Sequence, residues 1–162
     1  IGRFNIQKNH DFLIDIFNEY QKKNSNAILL LLGDGELKET IKNKVQDLKI
    51  EKKVIFAGIR NDISSFLNAM DCFVMPSVFE GLPVTLVEAQ ASGLKCLVSD
   101  CITQEVNITD AIEYYGLNNN SREWAKRISP SEHCREKYNE IVKNSGFDIN
   151  QELKTIEKNY CE

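Results

Sequence analysis

Apolar residues in this chain fall in short unbroken runs that alternate with stretches of helical spacing. The clearest run is 27–32, Ala27 followed by Ile28 and four leucines. It is too short for a buried helix and ends at Gly33, so it reads as a strand covered on both faces, as in a parallel sheet. Residues 54–57, 72–75 and 95–99 read as further strands, and 112–115 as a weaker one before Gly116. Between them, Phe12, Leu13, Ile16, Phe17 and Tyr20 predict a helix over 10–23, capped by Asn9 or Asp11. Leu37, Ile41, Val45 and Leu48 predict one over 36–48, and Ile63, Phe66, Leu67 and Met70 a short one through Ala69 capped by Asp62. Residues 84–91 form a fourth helical run. After Gly116 the pattern changes to a loop at 118–121, a short helix at 122–128, a longer one at 131–144 and a charged one over 151–160.

Strands separated by helices of this length imply βαβ units: an α/β fold with a Rossmann-like, doubly wound parallel sheet in three αβα layers, followed by C-terminal helices. The runs at 28–32, 54–57, 72–75 and 95–99 are expected to be parallel. Any strand at Ile1 is expected to lie between the 28–32 and 72–75 strands.

Length and composition narrow the picture. The 162 residues make one domain, large enough for a real core. A net charge of −4 disfavours a general grip on nucleic acid. Cys72, Cys96, Cys101, Cys134 and Cys161 form no CxxC pair, and their odd number and wide spacing point to a reducing, cytoplasmic compartment. With only two histidines no metal site is expected, and no apolar stretch reaches the ~20 residues of a membrane helix.

The chemistry concentrates at 76–88. The 72–75 strand feeds a loop holding Pro76, Ser77, Glu80, Gly81 and Pro83, and a helix leaves it. Pro83 is expected in the first helical turn, where its missing N–H costs nothing. The free amides of that turn would face the crevice above the strand ends and suit a phosphate. Glu80 sits in the loop and Glu88 about one and a half turns into the helix. Taken alone, Glu88 reads equally as a surface charge.

The text Pro76-Ser77, Glu80-Gly81-Leu82-Pro83, Glu88-Ala89 and Gly93 resembles the E-x7-E signature of retaining glycosyltransferases built from two Rossmann-like lobes, the GT-B architecture. Gly2-Arg3-Phe4 with Gln7 to Asp11 resembles the opening motif of their donor-binding lobe, and the resemblance covers nearly the whole chain. It implies an excised C-terminal, donor-binding lobe over 1–162, with the N-terminal acceptor lobe absent and transfer by the fragment alone slight. The implied activity is hexosyl transfer from a UDP- or GDP-sugar with retention of configuration, without a cofactor or metal. The implied setting is bacterial capsular, exo- or lipopolysaccharide synthesis. The acceptor would be a glycan or lipid-linked glycan met through the missing lobe, peripherally at the inner face of the plasma membrane.

The resemblance also implies roles. Arg3 and Lys8 would embrace the leaving diphosphate, where cations neutralise developing charge. Glu80 would contact sugar hydroxyls and Glu88 the ribose diol, which a carboxylate accepts well. Amides near Gly81, Leu82, Thr85 and Leu86 would hold sugar or phosphate oxygens. Gly33 and Gly35 would form a turn beside the crevice, and Arg60 would stack on the base or point outward. Asp71 and Glu105 also lie in similar text, without a defined role. Two departures stand out: Leu94-Lys95 follows Gly93 where proline is common, and Ile102-Thr103-Gln104-Glu105 lacks the usual glycines. Alternatives are a nucleotide-sugar epimerase of the same architecture, a regulatory nucleotide- or phosphopeptide-binding module on a flavodoxin-like sheet, and a subunit that kept the fold without catalysis.

Overall fold

The computed structural model describes residues 1–131 and 135–149, and beyond these 153, 157 and 158. Elements run α1 (His10–Gln21), β1 (Leu29–Leu32), α2 (Lys38–Asp47), β2 (Val54–Gly58), α3 (Ile63–Ala69), β3 (Cys72–Met75), α4 (Val84–Ala91), β4 (Lys95–Ser99), β5 (Ile112–Tyr115), α5 (Ser121–Arg127) and α6 (Arg135–Val142). The expected helix over 151–160 lies almost wholly outside the described residues.

All strand pairs are parallel, but they form two sheets, β1-β2 and β3-β4-β5. The segment from Ile1 to Phe4 lies between them. On one side Gly2 N–H donates to Leu32 O and Phe4 N–H to Asp34 O, both at 2.9 Å. On the other side Ile1 packs against the core cluster that contains Phe73 and Met75. The segment occupies the position expected of a central strand, without forming one.

Helices cover both faces. Leu13, Ile14, Phe17, Ile41 and Val45 from α1 and α2 close over Leu31 and Val54. Trp124 of α5 is fully buried against Ile16 and Leu97, and its indole N–H donates to Gly116 O at 3.1 Å. On the opposite face Leu67, Leu86, Val87, Ala89 and Val142 from α3, α4 and α6 cover Phe73, Met75, Cys96 and Val98. This is the three-layer αβα arrangement that the alternating pattern implies.

Several local expectations are corrected. β1 spans four residues instead of six: Ile28 precedes it and is exposed, as is Ile55 of the edge strand β2, while α1 and α2 close the face bearing Leu31 and Val54 and Leu32 is buried at the other end of the opposite face. Asp62 does not cap α3 with its side chain; both carboxylate oxygens go to Arg60. Asn9 stands at the N-cap of α1 in the left-handed region (φ 52°), but its amide donates to Pro76 O at 3.0 Å instead. Pro83 is the N-cap of α4, one position earlier than expected, with an extended ψ of 94°. Ser131 itself is not helical, and its N–H and hydroxyl both donate to Asp71 O, at 2.7 and 2.8 Å.

Candidate functional site

The strand ends deliver three loops to one edge, and long-range hydrogen bonds fasten two of them together. Val78 N–H donates to Gln7 O at 2.8 Å, and the Gln7 side-chain amide donates to Phe79 O at 3.1 Å and Glu80 Oε2 at 3.3 Å. Lys8 Nζ lies 2.7 Å from Glu80 Oε1, with side chains only 17% and 9% exposed. Taking two charges this far out of water is expensive unless they are paired; here the Lys8 ammonium lies against Oε1 as a charge contact, without a well-aligned hydrogen bond to that buried oxygen, and the Gln7 amide donates to Oε2. Glu80 also bridges in parallel to Ile102, which brings the loop after β4 against it. That loop is held by Gln90, a fully buried residue of α4. Its amide donates to Val106 O at 2.9 Å, and its Oε1 accepts from Thr109 N at 3.1 Å and Thr109 Oγ1 at 2.9 Å.

Helix α4 starts beside this pair. The N–H groups of Val84 and Thr85 open the helix and have no intrahelical acceptor. Leu86 differs from expectation: its N–H donates to Pro83 O at 2.9 Å, so its amide is already used. Gly81 and Leu82 are exposed on the loop just ahead.

The other expected site residues are spread more widely. Arg3 pairs with Glu36 at 3.2 Å, and with its side chain 72% exposed this contact is weak enough for a stronger anion to displace. Arg60 makes a bidentate pair with Asp62, 2.9 Å at each oxygen, and lies 5.1 Å over the Phe66 ring, directed along α3. Glu88 is apart from Glu80 along α4. It lines a groove of about 640 Å³ with Ser64 and Asn68 of α3 and Arg135, Asn139 and Lys143 from the far side, and burial pushes its carboxyl up. Gly33 and Gly35 face the backbone of Gly2 to Phe4. Asp71 offers its carbonyl to Ser131, and Glu105 sits in a 3₁₀ turn, Gln104–Val106, whose Thr103 hydroxyl accepts its N–H.

Residue type and spacing therefore find Lys8 and Glu80 but miss what holds them. In the sequence Gln7 and Asn9 stand out only as neighbours of Lys8 in the opening motif and, for Asn9, as a helix cap, and Gln90 does not stand out. Below Lys8 lie His10 Nδ1 and Ser77 Oγ, both buried without a protein partner. His10 stacks on Phe4 with ring centroids 4.3 Å apart. Among the described residues, no group of three His, Cys, Asp or Glu side chains gathers to hold a metal ion.

The family described as glycosyl transferases group 1 matches residues 1–146. A putative glycosyltransferase of Bacillus subtilis, EpsF, is 34% identical over 94% of this chain and 41% of its own length. An Escherichia coli UDP-Gal:alpha-D-GlcNAc-diphosphoundecaprenol alpha-1,3-galactosyltransferase is 37% identical over 62% of this chain and 27% of its own. Among solved structures, Anabaena HepE in complex with UDP and glucose superposes with a TM-score of 0.75 at 20% identity, covering 100% of this chain and 47% of that one. The chain thus spans less than half the length of these relatives, and the structural likeness is one of fold.

Proposed function

The chain belongs to the glycosyl transferases group 1 family and folds as one lobe of a GT-B glycosyltransferase, and on that premise we propose that it binds the donor. The enzyme would transfer a hexosyl unit from a UDP- or GDP-sugar, with retention, to a glycan or lipid-linked glycan during polysaccharide or lipopolysaccharide synthesis. The observation that carries this reading is the Lys8–Glu80 pair set beside the open amides of α4. Relatives named for amylovoran and Vi polysaccharide biosynthesis support the pathway class. The free thiols of Cys72, Cys96 and Cys101 support a cytoplasmic setting, and the enzyme would work at the inner face of the membrane. No helix among the described residues is long and apolar enough to cross a membrane.

In this reading the bond between the sugar's anomeric carbon and the diphosphate oxygen breaks as the acceptor oxygen bonds to the same face. The acceptor's proton passes to the departing diphosphate. Negative charge grows on the diphosphate, next to the first amides of α4 and within reach of Lys8 and Arg3. Lys8 and the α4 amides are already in place, so for them little reorganisation accompanies the charge shift, whereas Arg3 first has to leave Glu36. Glu80 accepts a sugar hydroxyl while holding Lys8, and Glu88 accepts the ribose diol. This chain's own groups supply the charge stabilisation, and the reading needs no cofactor.

Glu88 gives the sharpest test. Glu88→Gln keeps the size and removes the charge. It is expected to weaken UDP binding by ~1–3 kcal/mol through loss of a charged hydrogen bond to the diol. Calorimetric titration with UDP and with 2′-deoxy-UDP completes a cycle between residue and hydroxyl. The deoxy ligand should bind more weakly to the unmutated protein and lose less on mutation. Equal losses for both ligands would show that Glu88 does not touch the ribose.

A further inference from the structure

We propose that Gly2 is a positioning residue for Lys8, and that the Gly33-Asp34-Gly35 turn serves the site through Gly2 instead of by touching a ligand. The proposal rests on the reading of Lys8 and Glu80 given above. The contacts form a stack. A Cβ on Gly33 would stand 1.9 Å from Gly2 O, and one on Gly35 2.6 Å from Phe4 O and 2.7 Å from Phe4 N. Backbone atoms cannot swing away as a side chain can, so both positions require glycine for the segment 2–4 to lie flush on the turn. Three hydrogen bonds keep it there: Gly2 N to Leu32 O, Phe4 N to Asp34 O, and Leu37 N to Phe4 O at 3.0 Å.

On its other side, Gly2 carries the stem of Lys8. A Cβ at Gly2 (φ +144°) would stand 2.8 Å from Lys8 Cε, 3.3 Å from Cδ and 3.5 Å from Cγ. Cε is the atom that bears Nζ, so the bare α-carbon of Gly2 sets where the ammonium points. A lysine stem has many rotamers of similar energy, and an unguided Lys8 would sample them. Laid across Gly2, it instead brings Nζ to within 2.7 Å of Glu80. The turn places the segment, the segment offers a flat surface, and the surface aims the cation.

The test is Gly2→Ala, which adds one methyl under Lys8 and changes no charge. The side-chain ammonium resonance of Lys8 and the carboxyl carbon resonance of Glu80 are expected to move. UDP affinity is expected to fall about tenfold, the size of one charged hydrogen bond. In a Lys8→Ala background, Gly2→Ala should change UDP affinity by less than about twofold, since a residue acting only through Lys8 has nothing left to act on. Unmoved Lys8 and Glu80 resonances in folded Gly2→Ala, or an equal affinity loss in both backgrounds, would overturn the proposal. Should Gly2→Ala not fold, the unmutated protein decides: nuclear Overhauser contacts from Gly2 Hα to Lys8 Hδ and Hε are expected, and their absence overturns it. The resonance arms use no ligand. Failure of UDP to bind therefore strikes the donor-binding reading while leaving the positioning role standing.

Discussion

Replacing Lys8 by alanine is expected to destabilise the protein by about 3 kcal/mol and to slow sugar transfer by roughly two to three orders of magnitude. The two effects have different origins. Stability falls because the Glu80 carboxyl, at 9% side-chain exposure, loses its cation and is left with only the Gln7 amide, at 3.3 Å, donating to it. An unmatched buried carboxylate is among the few single-residue changes that reach several kcal/mol. Transfer slows because a cation no longer meets the charge that grows on the departing diphosphate. A second variant separates the causes. Lys8→Met with Glu80→Leu removes both charges and fills the space with apolar atoms, which for buried pairs is often neutral or stabilising. Urea midpoints should therefore fall for Lys8→Ala and return for the double variant, while transfer measured in the natural protein stays low in both. A stable Lys8→Ala protein would mean that the pair is solvated and weak.

The fold was legible because its signals are local. Each strand is an apolar run that stops at a glycine, a proline or a polar break, and each helix repeats its apolar residues along one stripe, as in Leu13, Ile16 and Phe17. What local pattern could not show is which groups would find a better partner far along the chain. Asp62 and Asn9 both stand where a cap is expected, yet one serves Arg60 and the other the carbonyl of Pro76, 67 residues away. The six-residue apolar run at 27–32 carries no mark that its partner β2 would be an edge, so the exposure of Ile28 could not be read from it.

The site divides the same way. Lys8 and Glu80 are 72 positions apart and meet because the segment ahead of Lys8 lies between the two sheets, next to the core of β3, whose following loop carries Glu80. Spacing alone could not show that Glu88 opens onto the groove between α3 and α6, since eight residues along a loop and helix fix no single direction. Gly33 and Gly35 were recognisable as a close-approach turn, but sequence cannot distinguish approach by a phosphate from approach by the chain's own backbone. In the structure the backbone of Gly2 and Phe4 lies against the turn where a Cβ would stand.

His10 should make stability depend on pH in a window where few side chains titrate. Burial lowers its imidazole pKa to about 4, with the positive charge of Lys8 adding to the effect. In the unfolded chain a histidine titrates near 6.5. Above that value both states hold a neutral ring, and His10 contributes no pH dependence. As pH falls from about 6.5 towards 4, the unfolded state takes up a proton that the folded state refuses, so stability declines by about 1.4 kcal/mol per unit. The total reaches about 3 kcal/mol and levels off once the folded ring also protonates. Carboxylates contribute below about pH 5, so the informative quantity is a difference. His10→Phe preserves an aromatic stack on Phe4 and removes the titration. Urea unfolding of both proteins at half-unit steps from pH 4 to 7.5 should show the unmutated chain losing stability faster between 6.5 and 5, where carboxylates are still silent. Parallel curves through that interval would place His10 in contact with water, and the buried setting beneath Lys8 would have to be abandoned.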